Sequence, residues 1–279
     1  MSYIEISGLR DLAPRYRCLF VDAYGVLYDG AASFPGAPEA LQRARAAGLK
    51  ICIVTNSASR VSVVAQRLAE RAGVTPDHYD AIATSGEISW QYLDDRQIPP
   101  DAPIYVITEE GGPAWIADIA HRRVVDVRHA HALLAVGIPY LTEAAFYASD
   151  FAETLQIAAR LDLPMIVADS DETYPWRGVI RLGAGWIARL YAAMGGRLVE
   201  FGKPHSPIYE EASRQLGNPA RHEILGIGDN LLTDIAGAFG FGIDSLLVLE
   251  GGVHGGQSPA ELRAATGPAP TYIAPRLAW

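Results

Sequence analysis

The sequence predicts an α/β protein with a doubly wound, mostly parallel β-sheet and a second α/β domain inserted into it. Short apolar segments of strand length alternate along the chain with longer segments of helical spacing, which is the pattern of repeated βα units. The apolar segments are hydrophobic at nearly every position, as expected of strands that are covered on both faces. Several of them end abruptly in an acidic or hydroxyl residue, and the functional groups of open α/β sheets gather beyond such strand ends.

The first part of the core is a predicted βαβα unit. Residues 18–21 form a buried strand that ends at Asp22, and the helical spacing of residues 36–48 is closed by a glycine. Residues 49–55 form the next buried strand, which ends at Thr55, and a second helix follows. Because crossovers between parallel strands are right-handed, Asp22 and Thr55 are expected at the same edge of the sheet.

The chain after residue 180 is predicted to complete the same sheet. A short strand-like segment ends at Lys203, which is held on a stiff turn between Gly202 and Pro204. Another apolar segment ends at Asp229, and Asp234 lies on the first turn of the helix that follows. Two more apolar segments near the C-terminus supply the remaining strands.

Residues 85–180 contain enough strand-like and helix-like segments for a compact domain of their own. The predicted organisation is therefore a Rossmann-like core of residues 1–84 and 181–279 with an inserted α/β domain of residues 85–180. A chain of 279 residues is long enough to form two hydrophobic cores of this size.

Composition limits the expected partners and compartment of the protein. The chain has 23 Lys and Arg against 32 Asp and Glu, a net charge of -9, and no basic run, so nucleic acid is not an expected partner. It has no apolar run long enough to span a bilayer, so no membrane association is expected. Its two cysteines lie in apolar segments and cannot form a disulfide framework, which fits a cytoplasmic protein.

Five polar residues of the core are predicted to meet at one edge of the sheet: Asp22, Thr55, Lys203, Asp229 and Asp234. Two carboxylates from different strands suit Mg²⁺, a hard cation that takes carboxylate, water and phosphate oxygens as ligands. Thr55 and nearby main-chain N–H groups can hold a phosphoryl group, and Lys203 can offset the negative charge. Asp22 can then act as a covalent nucleophile. Each residue alone also fits a helix cap or a solvated turn, and their common position favours an active site.

Four segments around these residues resemble the four motifs of the haloacid dehalogenase (HAD) superfamily. The segments are Phe20-Val-Asp-Ala-Tyr-Gly-Val26, Val54-Thr-Asn-Ser57, Gly202-Lys-Pro204 and Gly228-Asp-Asn-Leu-Leu-Thr-Asp234. The first two motifs are close together and the third is distant, so the inserted domain follows the second motif. This placement resembles the class IIA members, the sugar-phosphatase and nitrophenylphosphatase-like group, in which the insertion is a cap domain.

The resemblance implies a phosphatase that acts on a small phosphorylated metabolite through an aspartyl-phosphate intermediate. It makes Asp22 the nucleophile and assigns phosphate binding to Thr55, Asn56 and Lys203. Because substrate choice in such an architecture depends on loops of the cap, the motifs do not identify the metabolite.

The resemblance further implies Mg²⁺ as the cofactor. Its ligands would be Asp22, Asp229 and the main-chain carbonyl of residue 24, which is available with any side chain. Asp234 would support Asp229 or Lys203. A homodimer formed through the cap would also fit this family.

Tyr24 departs from the pattern of the family's phosphatases, which have an aspartate two residues after the nucleophile. That aspartate protonates the leaving group and then activates the water. A tyrosine with an ordinary pKa of about 10 is a poor base at neutral pH, although its phenol can donate a proton. Because general acid-base catalysis contributes about 10²- to 10⁴-fold, we expect slow turnover or a substrate with a good leaving group.

Two alternatives remain open. The Asp-x-Tyr-Gly pattern at Asp22 also resembles the family's 2-haloacid dehalogenases, in which an aspartate attacks carbon without a metal. Those enzymes lack a carboxylate like Asp229 and carry their cap between the first two motifs, so two features favour phosphoryl transfer. The second alternative is a phosphometabolite-binding protein without turnover, which Tyr24 suggests and the intact set of charged residues opposes.

Overall fold

The computed structural model describes residues 3–94, 98–109, 112–138, 142–147, 149–176, 179–254, 261 and 267–279. The chain divides into two compact units. The first unit contains Met1–Thr55, Val61–Ala83 and Lys203–Trp279, and the second contains Asn56–Arg60 and Thr84–Gly202. No helix within the described ranges combines the length and the apolar character of a membrane span.

Strands and helices alternate along most of the chain, as the sequence predicts. In chain order the strands are β1 (Ile4–Glu5), β2 (Cys18–Val21), β3 (Lys50–Thr55), β4 (Ala81–Thr84), β5 (Ile104–Ile107), β6 (Ala132–Ala135), β7 (Pro164–Val167), β8 (Thr173–Trp176), β9 (Val179–Leu182), β10 (Arg197–Glu200), β11 (Ile224–Gly228), β12 (Asp244–Val248) and β13 (Tyr272–Ala274). The α-helices are α1 (Ala37–Ala46), α2 (Val61–Arg67), α3 (Ser85–Asp94), α4 (Glu143–Tyr147), α5 (Phe151–Arg160), α6 (Ala184–Ala193), α7 (Ser206–Gln215) and α8 (Ala236–Phe241).

Shorter helical segments extend or connect these elements. Helix α2 continues as a π-helical segment at Leu68–Ala72, and another π-helical segment, Leu231–Ile235, leads into α8. The 3₁₀ helices are Leu9–Asp11, Pro76–His78, Ala114–Arg122, Val127–His129 and Arg221–Glu223.

Strand β2 lies inside the seven-stranded sheet of the first unit, whose order is β1-β13-β12-β11-β2-β3-β4. It pairs in parallel with β11 on one side and with β3 on the other, so that Val21 aligns with both Ile227 and Ile53. The carboxyl ends of β11, β2 and β3 therefore lie next to one another at one edge of the sheet.

Helices cover both faces of this sheet around β2. Leu19 and Val21 belong to one hydrophobic cluster with Leu41 of α1. On the opposite face, the ring of Phe20 lies 6.4 Å from the ring of Tyr209 of α7. All four residues of β2 are buried. This arrangement confirms the predicted doubly wound, mostly parallel α/β fold.

The second unit has its own parallel sheet, in the order β10-β7-β6-β5, and a separate antiparallel hairpin of β8 and β9. The side chains of β7 alternate between two cores. Met165 and Val167 pack in a cluster that contains Phe146 and Tyr191, whereas Ile166 packs in the cluster around Trp115. This period of two is expected of a strand that is buried on both faces.

The second unit extends further along the chain than the predicted domain boundary at residue 180. Helix α6 contributes Ile187 and Tyr191 to one of its cores, and β10 pairs with β7 over its whole length. The prediction that the strand before Lys203 belongs to the core sheet is therefore wrong. A short apolar segment looks the same in either sheet, and only its pairing with β7 decides its place.

Candidate active site

Three predicted site residues lie at the carboxyl ends of adjacent strands of the first unit. Asp22 directly follows β2, Thr55 is the last residue of β3, and Asp229 directly follows β11. The main-chain N–H of Asp22 donates to the carbonyl of Ile227 at 2.8 Å, so the pairing of β2 with β11 continues as far as this residue. All three side chains are buried. Their predicted common position at one sheet edge is confirmed.

Lys203 joins this group although its preceding strand belongs to the other sheet. Its Nζ donates to Asp22 Oδ1 at 2.6 Å and to Asp234 Oδ1 at 2.7 Å, and the residue is only 4% exposed. Burial disfavours the charged amine, but Asp22 and Asp234 outweigh burial and raise the pKa of Lys203 well above its usual value. The ammonium group is therefore a permanent positive charge between two carboxylates.

The three aspartates form a compact carboxylate cluster. Asp22, Asp229 and Asp234 each offer an oxygen atom, and these oxygens lie within 4.8 Å of one another. Burial raises the pKa of Asp22, Lys203 lowers it, and the other two carboxylates raise it again, leaving it above the usual value. If all three carboxylates are ionised, the one ammonium group leaves two negative charges for a bound cation to offset. An all-oxygen donor set with this charge fits a divalent hard cation such as Mg²⁺.

Main-chain groups orient the two carboxylates that follow β11. Asp229 Oδ2 accepts a hydrogen bond from the N–H of Val253 at 2.8 Å. Asp234 Oδ2 accepts one from the N–H of Asn230 at 3.2 Å, while its Oδ1 accepts from Lys203. Asp234 therefore bonds to Lys203 with one carboxylate oxygen and to the main chain with the other.

Two glycines make room for this cluster, and sequence reasoning did not single them out. Gly25 has a φ of +85°, and a Cβ at this position would collide with the carboxylate of Asp229. A Cβ at Gly228 would collide with the side chain of Asp234. Both glycines lie within the motifs and next to polar residues, and this position in the sequence could have indicated their role.

Tyr209 is a further residue that sequence reasoning missed. Its hydroxyl donates to the main-chain carbonyl of Asp234 at 3.2 Å, and its ring stacks on Phe241 with 5.4 Å between centroids. It lies at a core position of α7, where a tyrosine gives no sign of contact with the site. The bond holds the helical segment Leu231–Ile235 at Asp234 itself.

Tyr24 lies two residues beyond Asp22, and its ring is held within the first unit. The ring packs edge-on against Tyr28 with 5.7 Å between centroids, and a Cβ at Gly30 would lie 2.9 Å from it. Burial, followed by Asp29, Tyr28 and Asp229, raises the pKa of Tyr24 above its usual value. The phenol is therefore protonated at neutral pH and can donate a proton but cannot act as a base.

Asn56 belongs to the second unit, unlike the residue before it in the chain. Its side-chain Nδ2 donates to Asp171 Oδ1 at 3.0 Å. The structure thus brings Asp22, Lys203 and Asp234 into direct contact within the first unit, while the amide of Asn56 bonds to an aspartate of the second unit.

Comparisons with known proteins identify the family of this chain. The family model described as haloacid dehalogenase-like hydrolase matches residues 19–119, and one described as HAD-hydrolase-like matches residues 200–279. The crystal structure of a haloacid dehalogenase-like hydrolase from Brucella suis 1330 is 32% identical, with a TM-score of 0.80, and the match covers 98% of this chain and 99% of that one.

Two further relatives are named as phosphatases. Glycerol-3-phosphate phosphatase of Gallus gallus is 28% identical over 269 residues, which are 89% of this chain and 84% of the relative. A glycerol phosphate phosphatase from Mycobacterium tuberculosis, solved in complex with magnesium, is 27% identical with a TM-score of 0.70, and the match covers 97% of this chain and 78% of that one. The chain therefore belongs to the haloacid dehalogenase-like family of hydrolases.

Proposed function

We propose that this chain is a Mg²⁺-dependent phosphatase of small phosphorylated metabolites that uses Asp22 as its nucleophile. The observation that carries this proposal is the buried contact of Asp22 with Lys203 beside two more carboxylates. The names of the relatives, which include glycerol-3-phosphate phosphatase, support the substrate class. The second unit, by the same resemblance, would serve as the cap domain that selects the metabolite.

The reaction would take place in two displacements at phosphorus. In the first, a carboxylate oxygen of Asp22 bonds to phosphorus, the bond from phosphorus to the ester oxygen breaks, and the leaving oxygen takes a proton from the Tyr24 phenol or from water. In the second, water attacks the same phosphorus and gives up a proton, which replaces the one lost in the first step, while the bond to Asp22 breaks and inorganic phosphate is released. The carboxylate of Asp22 is thereby regenerated.

Positive charge and hydrogen-bond donors would hold the phosphoryl group during both steps. The ammonium of Lys203 offsets charge that develops on phosphoryl oxygens and also positions Asp22. The hydroxyl of Thr55 and the main-chain N–H of Asn56, which follows it directly, would donate to the same oxygens.

The carboxylate cluster would hold the metal ion. Asp22 and Asp229, with the main-chain carbonyl of Tyr24, are the proposed ligands, and their oxygen donors suit Mg²⁺. When bound, the ion supplies charge neutralisation and orientation of phosphate oxygens. Asp234 would act through Lys203, which already occupies its Oδ1.

Hydrolysis of a panel of substrates tests this function. We expect the protein to release inorganic phosphate from phosphomonoesters with Mg²⁺ and to lose that activity with a chelator. The same samples are assayed for halide release from 2-haloacids. Halide release that persists in chelator would replace the proposal with a dehalogenase. Tight binding of phosphorylated metabolites without any turnover would instead identify a binding protein.

Replacing Tyr24 with aspartate should raise the turnover of alkyl phosphates by about 10- to 100-fold, because a carboxyl group can act as both acid and base. The gain should shrink for aryl phosphates, whose leaving groups need little protonation. The measurement is kcat for a series of phosphates with leaving groups of increasing pKa. Tyr24→Phe is the matched control, since it keeps the ring and removes the proton donor. An unchanged or lower rate for Tyr24→Asp across the whole series would show that the phenol is adapted to its substrate.

A further inference from the structure

Asn56 is held within the second unit through both its side chain and its main chain. Its Nδ2 donates to Asp171 Oδ1 at 3.0 Å, and its main-chain carbonyl accepts from Ser85 Oγ at 2.9 Å. Its Oδ1 lies so close to Gly202 that a Cβ there would be 2.6 Å away. Asn56 is only 2% exposed, so its amide needs hydrogen-bond partners within the protein rather than in solvent.

The neighbours of Asn56 and Gly202 along the chain are site residues. Asn56 directly follows Thr55, at the end of β3, and Gly202 directly precedes Lys203. These peptide bonds are also two of the points where the chain passes from one unit to the other. Asn56 therefore belongs to the segment that carries Thr55, and its side chain lies close to the segment that carries Lys203.

The rest of the segment Asn56–Arg60 is also held along its length. The carbonyl of Ala58 accepts from Trp115 Nε1 at 2.7 Å. Arg60 forms two hydrogen bonds with Glu87, at 2.7 Å and 2.9 Å, and its guanidinium lies 3.6 Å from the centre of the Trp90 ring. Because the far end of the segment is anchored separately, the bond between Asn56 and Asp171 acts on its near end, next to Thr55.

Asp171 is itself oriented by a local bond. Its main-chain N–H donates to Asp169 Oδ1 at 2.9 Å, which defines the turn that presents its carboxylate to Asn56. A carboxylate is also a stronger acceptor for an amide than a neutral group.

We propose that Asp171 is a positioning residue, which acts through Asn56 to hold the Thr55 and Lys203 segments at the spacing that one phosphoryl group requires. This inference rests on the function proposed above. It does not give Asp171 a contact with substrate. A loss of the bond should lower kcat more than it changes KM, because misplacement of binding groups by about 1 Å can cost up to about 10²-fold in rate.

Exchange of the two side chains tests the pair directly. Asp171→Ala removes the acceptor and should lower kcat about tenfold, with KM within about twofold. Asp171→Asn keeps an acceptor oxygen and should stay close to wild type. Asn56→Asp places two carboxylates face to face and should lower kcat about 100-fold. The double variant Asn56→Asp with Asp171→Asn restores a reversed amide-carboxylate pair and should recover most of that loss. Asp118→Ala, at an exposed position of the same unit, is the control for removal of a charge.

Amide hydrogen exchange supplies a readout that does not depend on catalysis. We expect faster exchange in peptides covering residues 55–60 and 200–205 for Asp171→Ala and Asn56→Asp, and recovery in the double variant. If the wild type hydrolyses no phosphomonoester, the proposed function fails, and exchange still tests the pairing. Wild-type kcat and exchange in Asp171→Ala, or a double variant as impaired as Asn56→Asp, would overturn the inference.

Discussion

Replacing Asp22 with asparagine should lower phosphatase turnover by at least about 10⁴-fold and leave the fold intact. An amide has neither the negative charge nor the nucleophilic oxygen that attack on phosphorus requires. The fold should tolerate the change, because an asparagine oxygen can still accept the 2.6 Å hydrogen bond from Lys203. The change also removes one negative charge from a cluster in which three carboxylates face one ammonium group. The measurements are kcat with saturating Mg²⁺ and the thermal unfolding midpoint.

The control for this variant is Asp29→Asn, which makes the same chemical change in the same loop at an exposed position. Asp29 accepts hydrogen bonds from the N–H groups of Ala31 and Ala32, and an asparagine oxygen can keep both. Its turnover should remain within about twofold of wild type. Acid quenching of the wild-type reaction should trap a phosphoryl group on the peptide that contains Asp22. More than a tenth of wild-type activity in Asp22→Asn would mean that another group attacks phosphorus.

Replacing Lys203 with methionine should destabilise the protein by about 3–5 kcal/mol in chelator, in addition to abolishing phosphate turnover. The side chain is buried, and its ammonium is bonded to Asp22 and Asp234 at 2.6 Å and 2.7 Å. Without it, three buried carboxylates face one another with no positive partner in the cluster. The thermal midpoint should fall by roughly 10 °C for a protein of this size.

Lys50→Met is the matched control, because it removes a lysine from an exposed position in the same unit. We expect it to change stability by no more than about 0.5 kcal/mol. The double variant Lys203→Met with Asp234→Asn removes one of the three carboxylates and should recover part of the lost stability. A midpoint for Lys203→Met equal to that of Lys50→Met would show that the ion pairs contribute nothing to the folded state.

The edge of the sheet where the candidate site lies could be predicted because its determinants are local. Asp22, Thr55 and Asp229 each end a continuous apolar run, and parallel strands with right-handed crossovers bring their carboxyl ends together. The position of Lys203 was predicted for a partly wrong reason. Its strand, β10, pairs with β7 of the second unit, yet the lysine reaches Asp22 from the turn before α7.

Contacts between residues far apart in the chain could not be read from any motif. Tyr209 supports Asp234 from a position whose helical spacing indicates only a core residue. Asn56 finds its acceptor at Asp171, 115 residues away. Gly25 is needed because a Cβ there would collide with the carboxylate of Asp229, and the position of that carboxylate is known only from the structure.

The amino-acid sequence by itself determined the α/β class, the order of strands and helices in the core, and the residues that carry charge to the strand ends. These properties follow from hydrophobic periodicity and turn chemistry, which act over a few residues. Only the tertiary structure decided that β10 joins the second sheet, that Lys203 lies between two carboxylates, and that Asn56 bonds to Asp171. Each of these depends on which buried polar and apolar groups of distant chain segments can satisfy one another within a unit, and local sequence does not encode that choice.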